Sequence, residues 1–226
     1  MKEPVSAAVQ DYLKAIHSLG GVEHSVSPVD IAQRLCVRSP SVTGMLKRLA
    51  EAGLIHYEIG KGARLTDAGI AQARRVIRRH RLVELFLNRV LGLDWSEVDA
   101  EAEALEHAIS PRLEQAIAAH LGEPVEDPHG HPIPTAHGDL AQRDLKPLHQ
   151  FRAGQRVVIR EAQDDSADRL RRWQSLGLVP GVTVTFVSHQ PLDDIFGLRV
   201  GDQVIHLGSE GLAGLRGELA AGDAVA

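Results

Sequence analysis

The spacing of apolar residues changes from a helical to a strand-like period at Phe151. Before this position apolar side chains recur every three or four residues, as over residues 5–16, which predicts amphipathic helices. Beyond it they alternate, as over residues 182–187, with one helix expected over residues 168–176. We therefore expect a mainly α-helical chain with a small β domain, a barrel, at its C-terminal end.

Composition limits the classes of protein that fit. The 226 residues are 43% apolar, which is enough for packed cores and argues against disorder. Cys36 is the single cysteine, which excludes an internal disulfide framework and fits a reducing compartment. The chain has no signal-peptide pattern and no apolar run of roughly 18 residues, so we expect a cytoplasmic protein that does not contact the membrane.

Charge is distributed unevenly along the chain. Residues 31–64 carry six basic side chains against two acidic ones, a net charge of about +4, although the whole chain is at −5. Residues 94–145 carry twelve acids against two arginines, a net charge of about −10. A basic segment followed by an acidic one suggests that the two segments have different partners.

The basic segment has the pattern of a winged helix-turn-helix. Ser27 and Ser39 each precede a proline and an apolar run, so each begins a short helix, and a short turn separates the two helices. Residues 54–58 and 63–66 predict two strands joined by a basic, glycine-rich tip at residues 59–62, which is a wing. The alternative is a helical hairpin in a packed core, but the charge and the wing favour DNA binding.

The second helix of this motif is expected to enter the major groove of double-stranded DNA. Its hydroxyl side chains would lie near bases or phosphates, and its basic residues and those of the wing would meet phosphates. The predicted DNA-binding residues are Arg38, Ser39, Pro40, Ser41, Thr43, Lys47, Lys61 and Arg64.

A helix predicted over residues 96–109 carries Asp99, Glu103, Glu106 and His107 on one flank, beside its apolar stripe. The acids repel one another by roughly a few tenths of a kcal/mol per pair. Because the flank borders the stripe, these groups should be partly buried, and buried carboxylates are costly without a counter-charge. A divalent cation would supply that charge.

The neighbouring helices add further candidates. A long helix expected from Thr66 to about Leu91 carries His80 and Glu84 four residues apart, a spacing that suits metal ligands as well as a structural pair. A further helix beginning at Pro111 has an apolar stripe that suggests a dimer surface. A dimeric helix-turn-helix protein reads two DNA half-sites about one helical turn apart.

Residues 122–150 are rich in proline and glycine and are expected to be linker-like. Three of the histidines in this segment, His129, His131 and His137, are compatible with a metal site. A proline-rich loop holds ligands poorly without other anchors, so the sequence favours a linker over a metal site here.

Short motifs spread over nearly the whole chain resemble those of one family. They are Asp11-Tyr12-Leu13, Ile31-Ala32, Pro40-Ser41-Val42-Thr43, Leu65-Thr66-Asp67-Ala68-Gly69, His80-Arg81-Leu82 with Glu84, Glu106-His107, Asp127-Pro128-His129-Gly130-His131-Pro132-Ile133-Pro134 and Leu176-Gly177-Leu178-Val179-Pro180-Gly181. Together they are similar to the diphtheria toxin repressor family of metal-dependent transcriptional regulators. The resemblance implies a winged helix-turn-helix DNA-binding domain (residues 1–70), a helical dimerisation and metal-binding domain (71–145) and an SH3-like, or FeoA-like, domain (146–226).

The resemblance implies two metal sites. The primary site is carried onto Asp11, Glu103, Glu106 and His107. The second site is carried onto His80, Glu84 and Asp99, with two candidates from the barrel, Asp165 and Asp168.

The primary ligands bear on which metal is bound. Iron-responsive members usually have a methionine at the position of Asp11 and a cysteine at that of Glu103. Both are carboxylates here, and hard oxygen ligands suit Mn²⁺. The resemblance therefore implies a manganese regulator, with Fe²⁺ as the alternative ion for a site of oxygen and nitrogen ligands. Manganese sensors without the barrel often have a second acid where this chain has Lys14, so their paired-manganese arrangement is not implied.

The resulting prediction is a metal-dependent regulator that binds a palindromic operator as a homodimer and represses genes of metal uptake. The chain carries no catalytic triad, phosphate loop or nucleotide fingerprint, so we do not expect an enzyme. The alternatives are an iron-dependent regulator of the same fold, a carboxylate-bridged metalloenzyme, an interaction module of a metal transporter and a winged-helix sensor of an organic ligand. The transporter module leaves the helix-turn-helix unexplained, and the organic-ligand sensor leaves the acid cluster unexplained.

Overall fold

The computed structural model describes residues 6–163 and 166–221 of the chain. The chain divides into two compact units: the first holds the residues up to His80 with residues 105–110 and 134–140, and the second holds residues 81–104, 111–133 and the chain from Ala141 onward. The domain boundaries expected after residues 70 and 145 stay predictions. Within the described ranges, no helix is both long and apolar enough to cross a membrane.

The first unit contains the winged helix-turn-helix. Its elements are α1 (Ala7–Ser18), α2 (Pro28–Arg34), α3 (Ser39–Glu51), β1 (Ile55–Glu58), β2 (Gly62–Leu65) and the first part of α4 (Asp67–Arg89). The two strands pair antiparallel, with Ile55 opposite Leu65. The three helices and the hairpin share one hydrophobic core, in which Leu13, Ile31 and Leu46 are fully buried. The predicted winged helix-turn-helix is confirmed.

Two of the helix starts in this unit follow from side-chain capping. The Ser27 hydroxyl oxygen accepts a hydrogen bond from the Asp30 N–H at 3.1 Å, and the hydroxyl donates to the Asp30 carboxylate at 2.8 Å. The Thr66 hydroxyl oxygen accepts from the Gly69 N–H at 3.1 Å. Each interaction satisfies one of the N–H groups that the first helical turn leaves unpaired. The signals read at Ser27 and Thr66 therefore locate the beginnings of α2 and α4.

The acidic helix is shorter than predicted. Helix α5 spans Val98–Leu105 instead of residues 96–109, and α6 (Pro111–His120) begins after a break. Glu106 and His107 therefore lie in a turn, which the Ala108 N–H closes by donating to the Leu105 carbonyl oxygen at 2.9 Å. The turn separates one buried acid from the rest: Glu106 is fully buried, whereas the acids of α5 are exposed. The expectation that the whole acidic flank is partly buried is wrong.

The second unit contains an antiparallel sheet with short helices around it. Its elements beyond α6 are β3 (Lys146–Pro147), a 3-10 helix (Leu148–Gln150), β4 (Arg156–Ala162), α7 (Ala167–Ser175), β5 (Thr183–Gln190), β6 (Ile195–Val200), β7 (Gln203–Gly208), α8 (Ser209–Leu212) and β8 (Leu215–Leu219). The strand order is β3-β8-β4-β5-β6-β7. Trp173, Leu178 and Phe186 lie in its core. The predicted small β domain is confirmed.

Part of the segment expected to be a linker is packed onto the sheet of the second unit. The Ala162 N–H at the end of β4 donates to the His129 carbonyl oxygen at 3.0 Å. Gly130 has φ +84°, and a Cβ placed on it would lie 1.9 Å from the Arg160 carbonyl oxygen. The backbone can approach β4 this closely only because residue 130 has no side chain. The linker prediction is therefore wrong for this loop.

This contact predicts a large effect of one methyl group. We expect Gly130→Ala to lower the free energy of unfolding by about 2–4 kcal/mol, since the overlap with Arg160 adds to the strain of a positive φ. Gly154→Ala is the matched control: its φ is +91°, and a Cβ there has no heavy atom within 4 Å. The control should lose only about 1 kcal/mol. Urea unfolding of both variants checks the difference, and equal losses would show that the close approach is not maintained in solution.

Candidate metal centre and DNA-binding surface

Helix α1 brings two charged side chains to one flank. Asp11 and Lys14 are three residues apart on it, while Leu13 and Ile16 point into the core of the first unit. The flank therefore lies at the edge of the core, and both charged side chains are only partly exposed. A helix that presents an acid and a base at such an edge can reach groups that arrive from distant parts of the chain.

Glu106 is the buried centre of this cluster. Its carboxylate accepts two hydrogen bonds from the Lys14 ammonium, at 2.9 Å to Oε1 and 2.8 Å to Oε2. The His80 Nδ1 atom lies 2.7 Å from Oε2. The backbone carbonyl oxygen of Glu106 accepts from the Arg79 guanidinium at 3.1 Å. Helices α1 and α4 thus supply cationic or donor groups to one carboxylate with no exposed surface.

His107 joins Asp11 to this group. Its Nε2 atom lies 2.7 Å from Asp11 Oδ1 and 3.5 Å from Glu106 Oε1. Its Nδ1 atom lies 2.9 Å from the Gln10 amide oxygen. When Nδ1 carries the proton and donates to Gln10, Nε2 presents its lone pair towards the two carboxylates, which is the tautomer that a metal ligand needs.

The charges around Glu106 keep it ionised. Burial alone would raise the pKa of the Glu106 carboxyl, but the hydrogen bond with His80 and the positive charge of Lys14 outweigh burial, so this pKa lies below its usual range. A buried carboxylate that stays charged is a strong ligand for a cation.

Asp11, Glu106 and His107 each offer one ligand atom, and these atoms lie within 4.8 Å of one another. Two carboxylates and an imidazole, one of them fully buried, fit a divalent ion of the manganese or iron type. Three of the four predicted primary residues therefore meet within the first unit. Glu106 also contacts Arg79, Lys14 and His80, and no motif in the sequence indicates these three residues as part of this site.

The other predicted ligands that the structure describes, apart from His80, belong to the second unit. Glu103 and Asp99 are exposed residues of α5, and Glu84 is buried on α4 in the second unit. The Asp168 carboxylate accepts from the Arg171 guanidinium at 2.7 Å on its own helix, α7. Asp165 lies outside the described residues. The completion of the primary site by Glu103, and the second site as a whole, stay predictions.

A second polar cluster lies inside the second unit. The His129 Nδ1 atom is 3.3 Å from Glu84 Oε1, and its Nε2 atom is 2.8 Å from the Trp95 carbonyl oxygen. Asp127, His129 and His131 also offer ligand atoms within 4.8 Å of one another. The alternating spacing of these three residues is a sequence signal for this cluster, which the proline-rich context outweighed in the sequence analysis.

The contact of His129 with Glu84 favours the protonated form of its imidazole. Burial alone would lower its pKa, but the hydrogen bond and charge of Glu84, with a further contribution from Asp127, raise it to about 9. A protonated imidazole is a donor and has no free lone pair for a metal ion. His129 and Glu84 therefore form a buried ion pair. A metal ion could bind His129 only by displacing a proton from its imidazole.

Most of the predicted DNA-binding residues are exposed on the first unit. Ser39, Ser41 and Lys47 of α3 are exposed, whereas Val42 and Leu46 of the same helix are buried. The other predicted contacts, Arg38, Pro40, Lys61 and Arg64, are also exposed, and Thr43 is half-buried. The wing residues are held in place locally: Lys61 pairs with Glu58 at 2.8 Å, and the Arg64 guanidinium donates to the Val22 carbonyl oxygen at 3.1 Å.

Known proteins match this division of the chain. Residues 5–63 match the iron-dependent repressor N-terminal DNA-binding domain, residues 66–135 match the iron-dependent repressor metal-binding and dimerisation domain, and residues 146–214 match the FeoA domain. The iron-dependent repressor IdeR of Mycobacterium leprae is 32% identical over 213 residues, which cover 88% of this chain and 91% of that protein. The chain belongs to the iron-dependent repressor family, that of the diphtheria toxin repressor.

Solved structures of similar proteins agree with this membership. A manganese-dependent transcriptional repressor in complex with manganese matches with a TM-score of 0.87 at 32% identity, covering 94% of this chain and 100% of that one. ScaR with bound Zn²⁺ matches with a TM-score of 0.77 at 31% identity, covering 93% of this chain and 98% of that one. This iron-dependent repressor family member is thus a metal-dependent, DNA-binding transcriptional regulator and not an enzyme.

The cluster predicts the effect of removing one ligand. Glu106→Gln should weaken Mn²⁺ binding at least about tenfold, because an amide replaces the buried charged ligand. Isothermal titration in the absence of DNA measures the affinity. Glu23→Gln is the control, since Glu23 is an exposed acid of the same unit. An unchanged affinity in a folded Glu106→Gln variant would place the metal elsewhere.

Proposed function

We propose that the protein is a manganese-dependent regulator that binds a palindromic operator as a homodimer in the cytoplasm and represses genes of metal uptake. The observation that carries the proposal is the convergence of Asp11, Glu106 and His107 in the unit that contains the helix-turn-helix. A site made of residues from α1 and from the turn after α5 can act on DNA binding without a separate sensor domain.

The proposed primary site contains Asp11, Glu106 and His107, and the prediction that Glu103 completes it is retained. His80 is a further candidate, because its Nδ1 atom lies 2.7 Å from Glu106 Oε2. His80, Glu84 and Asp99, with Asp165 and Asp168, remain the proposed second site.

The ligand types support manganese over iron. Asp11 and Glu106 supply carboxylate oxygen atoms, and the exposed Cys36 lies in none of the groups of potential ligands found among the described residues. Hard oxygen ligands favour Mn²⁺, whereas thiolate and thioether ligands favour softer ions. Fe²⁺ remains the second candidate because the same oxygen and nitrogen ligands can hold it.

The proposed mechanism couples α1 to the DNA-reading helix. Asp11 on α1, Glu106 and His107 would hold the ion, which would supply the positive charge opposite the two carboxylates. Leu13 of α1 lies in the same core as Leu46 of α3, so fixing α1 restricts the positions that α3 can adopt. A ligand that binds the DNA-competent arrangement more tightly shifts the population towards it.

Helix α3 and the wing are the proposed DNA-reading surface. The exposed hydroxyls of Ser39 and Ser41 can reach base edges or phosphates, and Lys47, Lys61 and Arg64 can meet phosphates. Leu113 on α6 is about half exposed at 49%, which supports a dimer contact on that helix. A two-fold dimer would present two copies of α3 to two half-sites.

Metal-dependent DNA binding is the direct test. The wild-type protein in Mn²⁺ is used to select duplexes from a pool with a randomised central region, and the affinity for the selected duplex is then measured by fluorescence anisotropy. We expect the affinity to fall at least about tenfold in chelator, which corresponds to about 1.4 kcal/mol of coupling. Tight binding that persists in chelator would contradict the proposal.

The same assay tests the reading surface. Lys47→Ala should weaken DNA binding and reduce the slope of log affinity against log salt by about one unit, because one phosphate contact is lost. Its Mn²⁺ affinity should not change. Lys146→Ala is the control, as Lys146 is an exposed lysine on β3 in the second unit. Identical salt slopes for the two variants would remove α3 as the phosphate-contacting helix.

A paired substitution tests metal selectivity. Asp11→Met with Glu103→Cys replaces two hard ligands by soft ones, so the ion that best activates DNA binding should shift from Mn²⁺ towards Fe²⁺. Activation curves for each free ion, measured without oxygen, give the preference. If the wild type already responds better to Fe²⁺, the assignment to manganese is wrong, although metal dependence itself would stand.

A further inference from the structure

We infer that Lys14 is an intramolecular cation that competes with the metal for Glu106 and thereby sets the concentration at which metal binds. This inference rests on the proposed function, since it concerns the same carboxylate. Lys14 is a positioning residue, because its ammonium holds the Glu106 carboxylate when no metal is bound. Metal binding would then exchange one cation, the ammonium, for another, the metal ion.

The contact geometry carries the inference. One nitrogen atom, Lys14 Nζ, lies 2.9 Å from Glu106 Oε1 and 2.8 Å from Oε2. The ammonium therefore faces both oxygen atoms of Glu106, and these are the atoms that would coordinate a metal ion. The carboxylate itself has no exposed surface, so water cannot replace the ammonium as its main partner.

Lys14 and a metal ion would compete for the Glu106 oxygen atoms. An ammonium group has three donors and no lone pair, so it cannot coordinate the metal and only repels it at short range. In this competition, a cation bound to Glu106 beside Asp11 and His107 would take at least one of the two oxygen atoms from Lys14. Breaking the Lys14–Glu106 ion pair costs free energy, and this cost weakens the binding of the metal.

The Lys14 side chain can move from Glu106 to solvent. Lys14 is 18% exposed although its partner is fully buried, so the flexible stem can carry the ammonium to solvent without unfolding α1. The His80 Nδ1 atom, 3.4 Å from Nζ, keeps its contact with Glu106 available during the exchange. Lys14 and His80 thus compensate the charge of Glu106, and a bound metal would take the place of Lys14.

The opposite arrangement makes a different prediction. A carboxylate has about four lone-pair sites, so Lys14 could stay on Glu106 and hold it in the orientation that the metal needs. In that case removal of the lysine charge would weaken metal binding. The sign of the change in affinity therefore separates competition from support.

The test compares Lys14→Met and Lys14→Gln with the wild type in Mn²⁺ titrations followed by electron paramagnetic resonance, with no DNA present. We expect Lys14→Met to lower the dissociation constant at least about tenfold, because the competing charge is gone. Lys14→Gln keeps a donor near Glu106 and should give a smaller decrease. Lys146→Met, an exposed lysine in the second unit, is the matched control and should not change the constant.

Thermal unfolding provides a readout that does not depend on the loaded protein. In chelator the melting temperature of Lys14→Met should fall, since Glu106 loses a counter-charge, and saturating Mn²⁺ should restore most of the loss. If Lys14→Met does not fold in chelator, Lys14→Gln provides the comparison. An unchanged or increased dissociation constant in either folded variant overturns the inference.

The outcomes also separate this inference from the proposed function. If the wild type binds Mn²⁺ and Glu106→Gln weakens that binding, but the Lys14 variants do not tighten it, only the inference about Lys14 fails. If the wild type does not bind Mn²⁺, or binds it independently of Glu106, the proposed metal centre fails as well.

Discussion

The burial of the Glu106 carboxylate is the constraint on which the first unit depends. A charge with no exposed surface must be compensated by nearby cations and donors, because its loss of hydration is otherwise larger than a small domain can tolerate. Lys14 comes from α1 and His80 from α4, and each lies within hydrogen-bond distance of the carboxylate. One acid in a turn therefore fixes two helices that are far apart in sequence, and a metal at the same place would act on both.

The second unit also contains a buried carboxylate, and a histidine compensates its charge. Glu84 is buried, and the protonated His129 beside it supplies the compensating charge, with a pKa raised to about 9. Here the partner is a titratable group that is itself a common metal ligand, whereas Lys14 cannot coordinate a metal. Ligand types alone would rank Asp127, His129 and His131 as a metal site, but the contact of His129 with Glu84 favours the protonated imidazole and argues for an ion pair first.

The sequence predicted the starts of α2 and α4 correctly but placed the end of α5 too late, because the first depend on local contacts and the second does not. Capping by Ser27 and Thr66 is local, so the starts of α2 and α4 are visible in a few residues. The end of α5 depends on where Glu106 finds its partners, and Lys14 lies 92 residues away in the chain. The apolar spacing is the same whether the helix stops at Leu105 or continues. Proline content likewise indicated a linker around Gly130, because the strand that packs on this loop is not a local feature.

The core of the first unit determines how an exchange at Glu106 can reach the DNA-reading helix. Leu13 and Ile16 of α1 are fully buried in the same cluster as Val42 and Leu46 of α3. A close-packed core does not deform gradually, so a small displacement of α1 either is resisted or repacks these side chains together. Asp11 and Lys14 lie on the other side of the same helix and act on it with opposite charges. If a metal bound to Asp11 replaced the Lys14 ammonium on Glu106, α1 would be held to the turn after α5 through Asp11 instead of Lys14. Helix α3 would respond to that change through the shared core.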